Sequence, residues 1–233
     1  MRWYQILIFS FFFGIFGGIF GTQILWPYFV ERPLFFQYQL DKIPTHITKI
    51  EQKTLVVQEN TALKEAIDKI KKTIFFVKTE LKNKKIEGSG FFLTNDCLGI
   101  TLSDLVPKDS NTAFYFENSP LSFQVIKRDP GQNLVLIKFE REKCETAPFF
   151  DFEKLKLGER VFALSFFRSQ HLVEEGIVKF FDQNLILTSI SNDSHFAGSP
   201  LFDIEGKFLG LNFIQENQVF TIPAPKIKNF AGI

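Results

Sequence analysis

The chain has 233 residues and a formal net charge of +1 at pH 7, from 27 basic and 26 acidic side chains. Because charges of both signs are interspersed, the composition argues against nucleic acid as a partner and against charge-driven binding to anionic lipid. The length accommodates one large domain or two small ones beside an N-terminal appendage.

The N-terminal segment 6–30 carries no charged side chain, and its plainly polar members are Ser10, Thr22 and Gln23. About 20 apolar residues span the core of a bilayer, so the sequence predicts a single transmembrane helix. The segment lacks the small-residue pair of a signal-peptide cleavage site, which favours an uncleaved anchor over residues 1–30. Arg2 favours a cytoplasmic N-terminus, so we expect a single-pass protein of the cell membrane with its main domain outside the cytoplasm.

Two small-xxx-small spacings lie within this segment, from Gly14 to Gly18 and from Gly17 to Gly21. Such spacings let two membrane helices approach closely, which raises the hypothesis of a homo-oligomer. The alternative stays open, because glycine is common in membrane helices without pairing.

Residues 31–59 are mixed in character and are interrupted by Pro33 and Pro44, which predicts a tether. Asn60 and Thr61 then provide natural N-cap side chains for a short helix. The apolar residues that follow at helical spacing are Leu63, Ala66, Ile67, Ile70 and Ile74.

The rest of the chain is predicted to form β-strands separated by polar or Gly/Pro/Asn turns. Six lie in the first half, at 73–80, 90–94, 99–102, 112–116, 121–127 and 133–139. Six more lie at 160–166, 172–181, 184–190, 199–203, 208–214 and 218–222. Strand counting alone allows any closed all-β barrel or sandwich.

Three motifs narrow this choice. They are GSGFFLTNDCLGITLSDLV at 88–106, RDPGQNLVLIK at 128–138 and DSHFAGSPL at 193–201. They resemble the GSGF and TNAHVV, DPxxDLALLK and GNSGGPL motifs of trypsin-like serine proteases of the chymotrypsin fold, nearest the bacterial HtrA (Deg) branch. The resemblance implies an all-β fold of two six-stranded antiparallel barrels, the first with the short helix at 60–142 and the second at 143–233, without a PDZ domain.

The resemblance also places three residues at the positions of the family's catalytic triad. Asp104 stands at the histidine position, Asn133 at the aspartate position and Ala197 at the serine position. The triad needs a hydroxyl nucleophile, an imidazole base and an orienting carboxylate, and these side chains supply none of the three roles. We therefore expect a pseudoprotease that is not an enzyme.

The loop of the third motif is predicted to be a degenerate oxyanion loop of His195, Phe196 and Gly198. The family has glycine where His195 stands, and a side chain there restricts the backbone. The alternative is a serine endopeptidase-type hydrolase with a displaced or partner-supplied catalytic group, in which His195 works with Ser194 or Ser199.

The remaining histidines and the cysteines suggest neither a metal site nor a cofactor. His46, His171 and His195 lack metal-ligand spacing, and His171 is expected to be an exposed loop residue. Cys97 and Cys144 are expected to be unpaired thiols, with a disulfide in an oxidising exterior as the alternative.

Together these features predict a membrane-anchored binding or scaffolding domain. Its expected partner is a peptide or an envelope protein, held at the old cleft or at an exposed strand edge.

Overall fold

The computed structural model describes residues 3–25, 61–81, 84–167, 170–191 and 194–233. The chain divides into two compact units, Met1–Val56 and Val57–Ile233. The predicted tether at 31–59 and the end of the predicted membrane segment, from residue 26, lie outside the described residues.

The first unit contains helix α1, Trp3–Phe20, and a π-helical turn, Gly21–Leu25. Among the residues that the structure describes, no helix combines the length and the apolar character needed to cross a membrane. A Cβ added at any of the four glycines of this unit would meet nothing within 4 Å. Pairing through Gly14, Gly17, Gly18 and Gly21 therefore stays a prediction.

The second unit begins with helix α2 at 61–70 and a 3-10 turn, Lys71–Thr73. Ala66 and Ile70 are buried, as the helical spacing predicted. A Cβ built on Gly206 would lie 3.2 Å from Ile70 Cγ2 and 3.5 Å from Ala66 Cβ. The helix thus packs directly on the turn that contains Gly206.

The first half of this unit is an antiparallel sheet with the strand order β5-β4-β1-β2-β3-β7-β6. Its strands are β1 Ile74–Leu81, β2 Lys84–Phe92, β3 Leu98–Leu102, β4 Asn111–Phe116, β5 Ser119–Leu121, β6 Phe123–Asp129 and β7 Leu134–Phe139. The prediction of a closed six-stranded barrel is wrong here, because the sheet has seven strands and forms a half-barrel. The predicted strand 121–127 divides at Ser122, and Pro120, which has no N–H to donate, suits β5 to an edge.

The second half is a closed barrel with the order β10-β13-β12-β11-β8-β9, which confirms the second six-stranded barrel. Its strands are β8 Arg160–Phe167, β9 Gln170–Phe181, β10 Ile186–Thr188, β11 Pro200–Asp203, β12 Phe208–Gln215 and β13 Gln218–Pro223. A short helix, α3 Ala224–Ala231, follows and buries Ile227 and Phe230.

Phenylalanine side chains fill the core and join the two halves. Phe91 of β2 stacks on Phe208 of β12 with ring centroids 4.2 Å apart, and Phe202 of β11 meets Phe91 edge-on at 5.9 Å. Aromatic pairs in these geometries add to the stabilisation from burial alone. The sheet and the barrel therefore share one continuous core, which sets their relative positions.

A disulfide joins Cys97, at the turn between β2 and β3, to Cys144, in the connection between the halves. The expectation of two unpaired thiols is therefore wrong. Their separation in space could not be judged from the sequence. In the structure the Cys144 N–H donates to the Asn95 carbonyl at 3.0 Å, so the connection folds back onto the turn. The two Cα atoms lie 5.1 Å apart, well within the range that a disulfide requires.

Candidate functional site

Asp104 and Asn133, predicted to occupy neighbouring positions, are joined directly by their side chains. Asp104 lies in a 3-10 turn, Ser103–Leu105, that directly follows β3. Asn133 Nδ2 donates to Asp104 Oδ2 at 2.8 Å. The Asn133 Oδ1 atom accepts from the Asp104 N–H at 3.0 Å and from the Ser103 hydroxyl at 2.9 Å. These bonds fix which end of the amide faces the carboxylate.

The backbone of Asn133 explains why an amide residue suits this position. Its φ of +55° lies in the left-handed region, which asparagine tolerates better than most residues. The turn is closed by the Asn133 N–H, which donates to the Pro130 carbonyl, and the next residue starts β7. The side-chain amide of Asn133 therefore lies immediately before a buried strand.

Ala197 lies on the other side of the site, after a 3-10 turn, Ser194–Phe196. The Ser89 N–H of β2 donates to the Ala197 carbonyl at 3.0 Å, which attaches this loop of the barrel to the sheet. The Ala197 N–H donates to the Ser194 carbonyl at 3.2 Å. The backbone amide of Ala197 is therefore engaged within its own turn.

Two glycines make this close approach possible. A Cβ on Gly88 would lie 2.5 Å from Leu105 Cδ1 and 2.7 Å from the Ala197 carbonyl oxygen. A Cβ on Gly198, whose φ is +72°, would lie 2.2 Å from the Ser89 carbonyl oxygen. Leu105, the neighbour of Asp104, thus packs against the loop that carries Ala197. We call the region formed by Asp104, Asn133 and Ala197 the junction site; its equivalence to a triad stays a prediction.

His195 and Phe196, neighbours in this loop, differ in burial. Phe196 is fully buried in the barrel core, whereas His195 is half-buried. The Ser165 hydroxyl of β8 donates to the His195 carbonyl and also pairs with the Ser89 hydroxyl at 3.0 Å. These two serines hold the loop in place; Ser89 lies within the motif at 88–106, whereas Ser165 lies in none of the three motifs.

The two serines beside Ala197 differ in what they could do chemically. Ser199 is fully buried; its hydroxyl donates to the Phe196 carbonyl at 2.8 Å and accepts from Asn212 Nδ2 at 2.9 Å. A hydroxyl held in this way is a structural group. Ser194 is exposed at the start of the 3-10 turn. Within the described residues, no group of three or more histidine, cysteine, aspartate or glutamate side chains could hold a metal ion.

The sequence pattern of the trypsin-like peptidase domain matches residues 88–211, more than half of the chain. A protein from Pseudomonas putida, described as a probable periplasmic serine endoprotease DegP-like, is 31% identical over 144 residues, covering 58% of this chain and 29% of that protein. A protein of the same description from Bartonella henselae is 28% identical over 137 residues, covering 54% of this chain and 27% of that protein. The chain therefore spans less than a third of the length of these relatives.

The fold is also similar to that of a solved structure. A crystal structure of Deg5 matches with a TM-score of 0.66 and 17% sequence identity, over 73% of this chain and 92% of that chain. At this identity the likeness shows the fold alone.

The prediction that the chain is not an enzyme is contradicted by these comparisons. The relatives are named serine endoproteases, and this chain carries a trypsin-like peptidase domain. The prediction depended on Asp104, Asn133 and Ala197. These three positions concern only the usual Ser-His-Asp arrangement, and other proteases build a nucleophile and base from different residues. The chain belongs to the family of trypsin-like peptidase domains.

Proposed function

We propose that this domain binds extended polypeptide outside the cytoplasm, at the junction site. The observation that carries the proposal is the exposed Asp104 carboxylate, which Asn133 holds by a hydrogen bond and whose neighbour Leu105 packs against the loop of Ala197. Among the described residues nothing donates to Asp104 Oδ1, so this oxygen is available for a polypeptide N–H. The methyl side chain of Ala197 leaves room for a chain to approach.

The names of the relatives support the choice of ligand, because an endoprotease acts on polypeptide. In this proposal the bound chain is a peptide segment or part of an envelope protein, and the domain acts as a binding or scaffolding module. The degenerate triad positions 104, 133 and 197 contribute recognition groups in place of the family's usual side chains.

Hydrolysis is the second candidate function, and the names of the relatives favour it. It requires a displaced or partner-supplied catalytic group, because position 197 is alanine. Ser194 is the better displaced nucleophile, since it is exposed, while the Ser199 hydroxyl is buried and bonded on both sides.

One set of samples separates the two candidates. The full chain in detergent micelles should bind reduced, carboxymethylated casein, and Asp104→Asn should weaken this binding several-fold, whereas Asp109→Asn, in an exposed turn, should not. If both variants bind casein equally well, the junction site is not the binding site. Release of casein fragments together with fluorophosphonate labelling of wild type but not of Ser194→Ala establishes the hydrolase instead.

The proposal also includes a membrane anchor at 6–30, followed by the tether at 31–59. Its support is the apolar sequence, the word periplasmic in the names of the relatives, and the disulfide, which forms in oxidising compartments. Two copies would pair through the glycines at 14, 17, 18 and 21. Protease added to spheroplasts should release the domain; a mature N-terminus beyond residue 21 would instead identify a cleaved signal peptide.

A further inference from the structure

A pocket, which we call the second pocket because it is separate from the junction site, lies on the first sheet. Its volume is about 440 Å³, and its lining includes Phe76, Lys78, Glu87, Tyr115, Glu117 and Phe166. Side chains alternate across a strand, so Phe76 and Lys78 face away from Val77 and Thr79 on β1. The Thr79 hydroxyl donates to the carbonyl of Leu105, the residue after Asp104, at 2.6 Å. The pocket therefore occupies the opposite face of β1.

Aromatic rings from three strands form the walls of this pocket. The Phe76 ring of β1 lies 6.2 Å, centroid to centroid, from Tyr115 of β4 and 6.2 Å from Phe166 of β8. All three side chains are only half-buried, so their rings remain accessible from the pocket. The face of an aromatic ring carries negative electrostatic potential and attracts a cation placed within about 6 Å.

Two carboxylates at the pocket add to this potential. Glu87 and Glu117 are exposed, and neither takes part in an ion pair or a side-chain hydrogen bond with another described residue. The one lysine of the lining, Lys78, directs its ammonium to Glu80 at 3.5 Å. Two carboxylates beside aromatic walls therefore outnumber the local cation.

We propose that this pocket binds the cationic side chain of a polypeptide, with arginine preferred to lysine. A planar guanidinium stacks on aromatic rings and pairs with carboxylates at its edge, whereas an ammonium is more strongly hydrated. The apolar stem of the side chain would lie along Phe76 and Phe166. The pocket acts separately from the junction site and extends the proposed function by a second point of recognition.

The chain supplies a matched pair of variants for the test. Glu117 and Asn118 form the two-residue turn between β4 and β5, with φ values of +48° and +64°. Glu216 and Asn217 form the equivalent turn between β12 and β13, with φ values of +49° and +59°. Glu→Asn at either turn relieves the same left-handed backbone and removes one charge, but only position 117 lines the pocket.

The experiment measures binding of blocked Ala-Arg-Ala and Ala-citrulline-Ala tripeptides to the full chain in micelles, by calorimetry. Citrulline keeps the shape of arginine without its charge. The arginine peptide should bind about tenfold more tightly than the citrulline peptide, and Glu117→Asn should remove most of this difference. Glu216→Asn and Asp104→Asn should both retain it, the latter because the junction site is separate.

Equal affinity for the two peptides would overturn the proposal, as would the absence of arginine binding at millimolar concentration. Equal losses in Glu117→Asn and Glu216→Asn would also overturn it, since the effect would then come from net charge. Failure of the arginine peptide leaves casein binding at the junction site unaffected, so the two proposals fail separately.

Discussion

Asn133 donates a hydrogen bond of 2.8 Å from its side-chain amide to the carboxylate of Asp104. In the triad that the resemblance implies, the residue at position 133 accepts and the residue at position 104 donates. Compared with that arrangement, donor and acceptor are exchanged between Asp104 and Asn133. Asp104 needs its donor partner, which makes the pair sensitive to a single change of Asn133.

Asn133→Asp should make stability pH-dependent. Two carboxylates would then face each other at hydrogen-bond distance, and their repulsion raises the proton affinity of the pair in the folded state. Because the folded variant binds more protons than the unfolded chain, its stability is retained at acid pH and falls as pH rises above about 4. We expect a loss of about 1 kcal/mol at pH 7, measured by urea unfolding between pH 3.5 and 7.5.

The control for this change is Asn217→Asp, which has a similar left-handed backbone, with φ of +59°, in an exposed turn. It introduces the same charge without a facing carboxylate. A similar pH profile in both variants would contradict the importance of the Asp104 contact.

Gly198→Ala should destabilise the second unit strongly. Its φ of +72° alone costs an alanine about 1 kcal/mol, and the new Cβ would lie 2.2 Å from the Ser89 carbonyl oxygen. To relieve this contact, β2 or the loop of Ala197 must move, which raises the expected total loss of unfolding free energy to about 3 kcal/mol. Gly158→Ala is the matched control, because φ is +80° there and nothing lies within 4 Å of the added Cβ. Equal losses of unfolding free energy would show that the contact with β2 contributes nothing.

Reduction of the Cys97–Cys144 disulfide should lower the free energy of unfolding by about 4 kcal/mol. The bridge closes a loop with a sequence separation of 47 residues, and its loss increases the entropy of the unfolded chain. Urea unfolding with and without dithiothreitol measures the effect. Cys144→Ala should have the same free energy of unfolding as reduced wild type, and dithiothreitol should not change it. A change in that variant would show that the reductant acts on something other than this disulfide.

His171 provides a pH-dependent signal near the second pocket. Burial lowers the pKa of His171, the Lys71 ammonium lowers it further, and the Glu117 carboxylate opposes both effects. Since this pKa lies below the ordinary value of about 6.5, the stability linked to neutral His171 is present above that pH. It is lost as pH falls through the folded-state pKa, because the unfolded chain then binds the proton more readily.

Two substitutions should move this titration in opposite directions. Glu117→Asn should lower the pKa of His171 further, and Lys71→Met should raise it, both followed by NMR of the imidazole Cε1 proton. Glu216→Asn should leave the titration unchanged. An upward shift in Glu117→Asn would exclude an electrostatic contact between Glu117 and the imidazole.

The sequence by itself determined the local features of this protein. The alternation and turn residues predicted most strands because each depends on neighbouring residues. Of the barrel strands, β8, β9 and β11 to β13 follow the predicted segments closely, whereas β10 is shorter than predicted. The motifs at 88–106, 128–138 and 193–201 determined the family for the same reason, since they are short and contiguous. The spacing of Ala66 and Ile70 likewise predicted their burial.

The tertiary structure decided what depends on distance between remote segments. Closure of a sheet depends on whether its edge strands meet, and β5 and β6 remain the edges of the first sheet although the sequence predicted a barrel. The disulfide depends on the connection folding back onto the turn of Cys97, 47 residues away. The hydrogen bond between Asp104 and Asn133 joins two separate turns, and the pocket of Phe76, Tyr115 and Phe166 joins three separate strands. No local sequence pattern encodes such distances.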